Sequence, residues 1–214
     1  MSSQKSTAAS TTALEPKRQR GRLRVAAILD AGAAVFAEKG YDAATMTEIA
    51  ARSNTAIGSL YRFFPTKEVL ADALLAWYAA LIGGALDEIA RRAARLSPSG
   101  LADALVDLML DLRSERAAAI ALVEVLSDAA DKRRMLRGTM RRQIATILMT
   151  ASGGLPRAKA EAMAVLLLHV LKAVPGFAQE KAGTRARLVG EARELARLYI
   201  ADAFGKPAGR RPGG

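Results

Sequence analysis

TMTEIAARSNTAIGSLYRFFPTKEVL, residues 45–70, reads as short helical segments separated by two sharp breaks. Thr45 or Thr47 can cap the first segment, since a threonine hydroxyl accepts a hydrogen bond from an orphan N–H of the opening turn. The Thr45 to Glu48 spacing fits a capping box, with Ile49 and Ala50 facing inward. This helix is expected to end around Arg52 and Ser53. Asn54 then tolerates the left-handed backbone of a tight turn, because its short amide bonds locally. The next helix runs from Thr55 or Ala56 to Phe63, with Leu60 and Phe64 available for packing. Pro65 stops it, and Thr66 caps another in which Lys67 and Glu68 lead into Val69, Leu70, Ala73, Leu74 and Trp77. Two short helices across a tight turn, braced by longer ones, make a helix-turn-helix head.

Upstream, Val25, Ile28, Leu29, Val35 and Phe36 recur at helical spacing from Arg22 to Lys39, and Gly40 ends that helix as a glycine just past its last turn. Residues 1–21 have no such period and read as a flexible arm. The basic residues Lys17, Arg18, Arg20, Arg22 and Arg24 crowd its end with no acid among them. Downstream, a connecting helix spans 67–95 and is broken by Ser97-Pro98-Ser99-Gly100. Leu101, Leu105, Leu108 and Leu112 follow at helical spacing. Further helical stretches are expected near 115–127, 131–149, 157–174 and 184–204, divided at Gly153-Gly154-Leu155-Pro156 and Pro175-Gly176. The boundaries implied are a basic arm over 1–21, a helix-turn-helix domain over 22–68, a helical body over 69–205 and a disordered tail over 206–214.

The composition agrees with an all-α fold. Hydrophobic residues are 51% of the 214 and aromatics 5%, so the core must be built from Ala, Leu, Ile, Val and Met, which favour helices. The formal charge of +11 favours a polyanionic partner, nucleic acid or an anionic membrane surface. With no Cys and one His, thiol catalysis and iron–sulfur chemistry are excluded and a zinc site is disfavoured; no metal or other cofactor is expected. No apolar core of a signal peptide and no uninterrupted run of about 18 apolar residues is present, so a soluble, cytoplasmic protein is expected.

The run Val25-Ala26-Ala27-Ile28-Leu29-Asp30-Ala31-Gly32, with Phe36, Lys39-Gly40-Tyr41 and Thr45-Met46-Thr47-Glu48-Ile49-Ala50, resembles the TetR family of transcriptional regulators. So does the stretch from Ala56 through Ile57-Gly58-Ser59-Leu60-Tyr61-Arg62-Phe63-Phe64-Pro65-Thr66-Lys67 to Leu70. The chain departs from the family where Ala-Gly-Val-Ser commonly precedes the recognition helix. Here Ser53-Asn54-Thr55-Ala56 stands instead, and Ala56 cannot cap, leaving Thr55 to do so or the helix start less well fastened.

The resemblance implies a sequence-specific DNA-binding regulator, by default a repressor released from a palindromic operator by a small, largely apolar effector. Spacing and resemblance together put Thr55, Ile57, Gly58 and Ser59 against base edges. Arg22, Arg24, Thr45, Thr47, Tyr61, Arg62 and Lys67 are the phosphate candidates, Thr45 and Thr47 doubling as caps and Tyr61 as a packing ring. So mild a reading surface leaves part of the specificity to DNA shape and the basic arm.

By the same resemblance the body is expected to enclose an effector pocket and to pair two copies through its last two helices. Wall candidates are Leu108, Met109, Leu112, Leu126, Met140, Ile144, Leu148, Met163, Leu167 and His169, any of which can equally be plain core. Ala162, Val165, Leu166, Val170, Leu188, Leu195, Leu198 and Tyr199 are the candidates for a homodimer interface. An enzyme is the first rival reading, but the one His sits in an apolar run and no Gly-rich phosphate loop or His pair is present. A non-specific architectural binder would need the basic arm but not the ordered run from Thr45 to Lys67.

Overall fold

The computed structural model describes residues 14–123 and 129–205, and every regular element among them is a helix. In chain order these are α1 (Leu14–Ala43), α2 (Met46–Arg52), α3 (Ile57–Phe63), α4 (Lys67–Arg92), α5 (Pro98–Asp111), α6 (Arg113–Val123), α7 (Ala129–Ser152), α8 (Arg157–Ala173) and α9 (Ala182–Gly205). Turns of 3₁₀ helix extend α4 over Ala93–Arg95 and α8 over Val174–Gln179. The all-α expectation holds, and helix breaks fall at Ser97, at Gly153-Gly154-Leu155-Pro156 and at Pro175-Gly176 where punctuating residues stand, whereas that between α5 and α6, at Leu112, has no such residue.

Side-chain capping is visible at three of the helix starts. Thr45 Oγ1 accepts from Glu48 N at 3.2 Å, Thr66 Oγ1 from Val69 N at 3.2 Å, and Ser97 Oγ from Gly100 N at 3.0 Å. Gly40 takes φ 75°, a kink three residues before the end of α1 with a backbone that a side chain would strain. Asn54 takes φ 48° in the turn between α2 and α3. One boundary differs from expectation: helix begins at Leu14, so residues 14–21 of the basic arm extend α1. Leu, Glu, Lys, Arg and Gln, which make up most of residues 14–20, carry enough helix propensity to prolong an adjoining helix.

Two apolar cores divide the molecule. The first joins Ile28 and Phe36 of α1, Ile49 of α2, Leu60 of α3, and Leu70 and Leu74 of α4 to Ala118 and Leu122 of α6. The second gathers α4 from Tyr78 onward with α5, α7, α8 and α9. A single stripe on α4 therefore serves both cores: Leu70 and Leu74 enter the head, and Tyr78, Ile82, Leu86 and Ile89, about one turn apart, enter the body. Full burial of each such Leu or Ile is worth about 1.5–3 kcal/mol. The head core thus reaches past residue 68 and takes in a helix from the body's sequence.

Polar ties fix the body. Arg193 donates to Asp103 Oδ1 at 3.1 Å and Asp107 Oδ1 at 2.6 Å, and Arg197 donates to both oxygens of Asp103 at 3.0 and 2.8 Å, locking α9 on α5. Those hydrogen bonds, Arg197 first, hold the Asp103 carboxyl below its ordinary range. Gln143 of α7 donates to Asp87 Oδ1 at 2.9 Å and the Gly83 carbonyl at 3.3 Å on α4.

Two segments, Lys67–Arg95 and Arg157–Phe177, are long and apolar enough by length and composition to cross a membrane. A few charges punctuate each, so neither is an uninterrupted apolar run. In this fold both are packing helices, with their buried stripes turned into the two cores.

Candidate nucleic-acid interface and body cleft

Backbone bonds set the angle between α2 and α3. Ser53 N donates to Ile49 O at 2.9 Å, Asn54 N to Ala51 O at 3.1 Å and Thr55 N to Ala50 O at 2.9 Å, so the chain reverses over four residues. Ala56 occupies the cap position of α3 and contributes no side-chain bond, and Thr55 does not replace it. Instead Thr55 is buried, 7% exposed, and its hydroxyl donates to the Ser53 carbonyl at 3.3 Å. This corrects the expectation for Thr55: a side chain turned into the turn cannot reach a base edge.

The remaining base-edge candidates lie outward. Ile57 is 41% exposed, Gly58 is exposed and Ser59 half-buried, while Leu60 beneath them is fully buried. A Cβ placed on Gly58 would meet nothing within 4 Å, so its missing side chain leaves room on the outer surface of the helix. Tyr61, 46% exposed, and Arg62 continue that surface, with the Arg62 guanidinium 5.4 Å from the Phe63 ring centre. Arg22 and Arg24 are exposed on α1, and Thr45 and Thr47 at the start of α2.

Lys67 departs most from its expected role. Its ammonium donates to the carbonyls of Tyr41 at 2.9 Å, Ala44 at 3.2 Å and Asp42 at 3.3 Å, and stands 4.4 Å from the centre of the Tyr41 ring. The last carbonyls of a helix are left without internal partners, and here a cation from α4 satisfies those between α1 and α2. Lys67 is a clamp between elements, and its nitrogen is already engaged by protein. Tyr41 completes the clamp: it stacks on Phe36 at 5.7 Å, and burial, then its bond to Glu68, pushes its hydroxyl up to about 12. Reading Lys39-Gly40-Tyr41 only as a matched motif hid this role. Arg52 donates to both oxygens of Glu38 at 2.6 and 2.7 Å, and Lys39 pairs with Glu48 at 2.7 Å, so α2 is held to α1 by two further ties. Glu48 thus spends its carboxylate on Lys39, a competing partner for the reciprocal arm of the capping box.

In the body, a cleft of about 610 Å³ opens between α4, α6, α7 and the end of α8. Its apolar floor includes the buried Tyr78, Met109, Ala119 and Met140, and Arg116, Arg137 and Lys172 are among its walls. Met109 and Met140 are where the expected effector wall meets this cleft. Leu108, Ile144, Leu148, Met163 and Leu167 are instead packed inside the body core, and Leu112 is half-buried against it. His169 is exposed, its Nδ1 2.7 Å from the Val165 carbonyl, and takes no part in the cleft. The helical period places it three residues from Leu166, on the outer side of α8. Leu126 lies outside the described residues. Overlooked by the sequence reading were Leu75 and Tyr78 on α4, Arg116 on α6, and Lys172.

The outer faces of α8 and α9 keep apolar side chains in view. Leu166 is 55%, Leu195 54% and Leu198 62% exposed, and Ala162 is exposed beside the half-buried Val165, Val170, Leu188 and Tyr199. Trp77 sits on the head's side of α4, lining an apolar groove with Val25, Leu29 and Phe63.

A three-helix head carrying a helix-turn-helix, continued by a helical body through one shared helix, defines the class to which this molecule belongs. Residues 28–74 match the family described as bacterial regulatory proteins, tetR family. Over 40 residues it is 48% identical to the HTH-type transcriptional repressor KstR of Mycolicibacterium smegmatis, a match covering 19% of this chain and 20% of that protein. The chain therefore spans about a fifth of the length of the curated relative it matches. Solved structures extend the fold likeness to the body. A TetR-family regulator structure from Mesorhizobium loti superposes with TM-score 0.63 at 18% identity, covering 86% of this chain and 98% of that one. The fatty acid degradation regulator FadR of Bacillus halodurans does so with TM-score 0.61 at 21% identity, covering 80% and 97%.

Proposed function

We propose that the protein is a sequence-specific DNA-binding transcriptional regulator, a repressor that leaves a palindromic operator when a small, largely apolar effector enters the body. The observation that carries this reading is the surface of α3. Ile57, Gly58, Tyr61 and Arg62 stand exposed on a helix whose inner side is fixed by Leu60, on a head with the tetR-family sequence. On this reading Ile57, Gly58 and Ser59 meet base edges, while Arg22, Arg24, Thr45, Thr47, Tyr61 and Arg62 grip phosphate. The similarity to a protein named as a transcriptional repressor supports the sign of regulation.

Two heads are required to cover a palindrome, and the exposed Leu166, Leu195 and Leu198 support a homodimer through α8 and α9. The dimer presents two recognition helices to major grooves about 34 Å apart. Cytoplasmic residence follows from the proposed partner, chromosomal DNA. Effector action follows from the shared elements: α4 contributes Leu75 and Tyr78 to the cleft and begins at the Lys67 clamp on the head. A ligand that prefers a tilted α4 shifts the population toward heads whose spacing no longer fits the grooves.

The test is competition binding to the DNA upstream of the protein's own gene, at about 150 mM salt, against a scrambled duplex. A preference of roughly 10³-fold, lost in a Tyr61→Ala, Arg62→Ala variant that melts like the parent, is expected. Equal affinity for both duplexes and for operators selected from random DNA would identify a non-specific binder and overturn the proposal.

A further inference from the structure

The body cleft is apolar in most of its lining yet carries a concentration of positive charge that packing alone does not require. Arg116 of α6, Arg137 of α7 and Lys172 of α8 come from three different helices and converge on one space. Arg141, one turn beyond Arg137, adds to the same field and keeps a buried Nε without a hydrogen-bond partner. Burial first, and then Arg137, Arg141 and Arg116, bring the Lys172 ammonium down to about 8. Like charges brought together at partial burial cost stability, and an anion in their midst offsets that cost. Asp72 on the rim and Glu115 beside Arg116 are the nearby acids, and Asp72, Glu115 and Arg137 are each engaged in interactions of their own. Among the described residues, no hydrogen bond or ion pair is seen to the side chains of Lys172 or Arg116.

Resting on the reading of this cleft as the effector site, we propose that the effector is an amphipathic anion. Lys172 and Arg116 hold its headgroup, and its apolar body lies on Tyr78, Met109 and Met140. The shape agrees with this: about 610 Å³ lies within the range of small-molecule sites, in which few polar groups orient a mostly apolar ligand. The headgroup chemistry is a carboxylate or a phosphate, since Arg offers a fork of donors and Lys a point charge to either. Arg116 lies two and three residues before Ala118 and Ala119, on the helix that enters the head core, so a headgroup drawn to it acts directly on α6.

The experiment is calorimetric titration of the full chain with four probes of one tail length below their micelle concentrations: decanoate, decyl phosphate, decanol and decyltrimethylammonium. Wild type is compared with Lys172→Gln, Arg116→Gln, whose fold is checked by circular dichroism and melting. Binding of decanoate or decyl phosphate at least about tenfold tighter than decanol, about 1.4 kcal/mol, with the preference abolished in the variant, is expected. The better of the two anions identifies the headgroup. Equal binding of decanol, preference for the cationic probe, no binding of either anion, or an anion preference that survives in the variant would each overturn the proposal. In wild type the comparison of anion with alcohol stands even if the variant misfolds. The regulator reading fails by a separate route, in the duplex competition, where no amphiphile is present.

Discussion

Lys67 illustrates how a side chain that matches a binding motif can be consumed by architecture. Its three carbonyl partners come from the junction of α1 and α2, so removing the ammonium leaves them with no replacement donor from α4. Bonds from a charged donor are worth about 1.5–3 kcal/mol, and Lys67→Met is expected to destabilise the chain by about 2 kcal/mol. That is a fall of roughly 4–8 °C in melting temperature for a chain of this size. A melting curve unchanged by the substitution would return Lys67 to the phosphate-binding set. The motif around Lys67 was legible in the sequence, but its partners were not, because backbone carbonyls carry no residue-type signal. Thr55 was misread for a related reason. Its hydroxyl suits either a base edge or a local carbonyl, and only the backbone geometry around Asn54, at φ 48°, decides between them.

At the scale of elements, helices were the readable part. Thr45 and Thr66 cap where their spacing implied, Ser97 caps at what the sequence marked only as a break, and Asn54 takes the left-handed turn. Less readable was which buried apolar residues also line a space: Leu148 and Met140 share a helix and both lie in the body core, yet only Met140 also reaches the cleft. Periodicity marks the inward face of a helix and says nothing about whether its neighbour touches it. The start of α1 was equally hidden, since Glu15-Pro16-Lys17-Arg18-Gln19-Arg20 has no apolar stripe to announce a helix. One tie between elements has a measurable pH signature. Asp103 is held below its ordinary value of 3.8 by Arg197 and Arg193, so its contribution is present above that value and is lost as pH falls through the lower folded value. Asp103→Asn is expected to cost about 1 kcal/mol at neutral pH and to flatten the loss of melting temperature between about pH 5 and pH 3 relative to wild type. Parallel curves for the two proteins would show that Asp103 does not tie α9 to α5 in solution.

Across the whole molecule, exposed large apolar side chains occur on head and body alike, and those of α8 and α9 make up the proposed pairing face. Arg22, Arg24 and Arg62 are exposed on the head, and the large exposed apolar side chains of α8 and α9 lie at the other end of the sequence. For the proposed dimer, Leu166→Glu, Leu198→Glu is expected to give monomers by light scattering, with little change in helix content, since both side chains are already in solvent. Operator affinity should fall by 10²-fold or more as the second head's contribution is lost. A variant that remains dimeric would exclude this face of α8 and α9 as the interface.

The placement of Ala118 and Leu122 in the head core, on the helix that also walls the cleft with Arg116 and Ala119, limits how the protein can be recombined. A hybrid sensor joining this reading head to another relative's body would inherit a foreign α6, whose side chains were shaped to fit a different α1. Specificity for DNA and for ligand can be exchanged independently only if the seam is cut through α6 residue by residue, its head-facing positions travelling with one parent and its cleft-facing positions with the other.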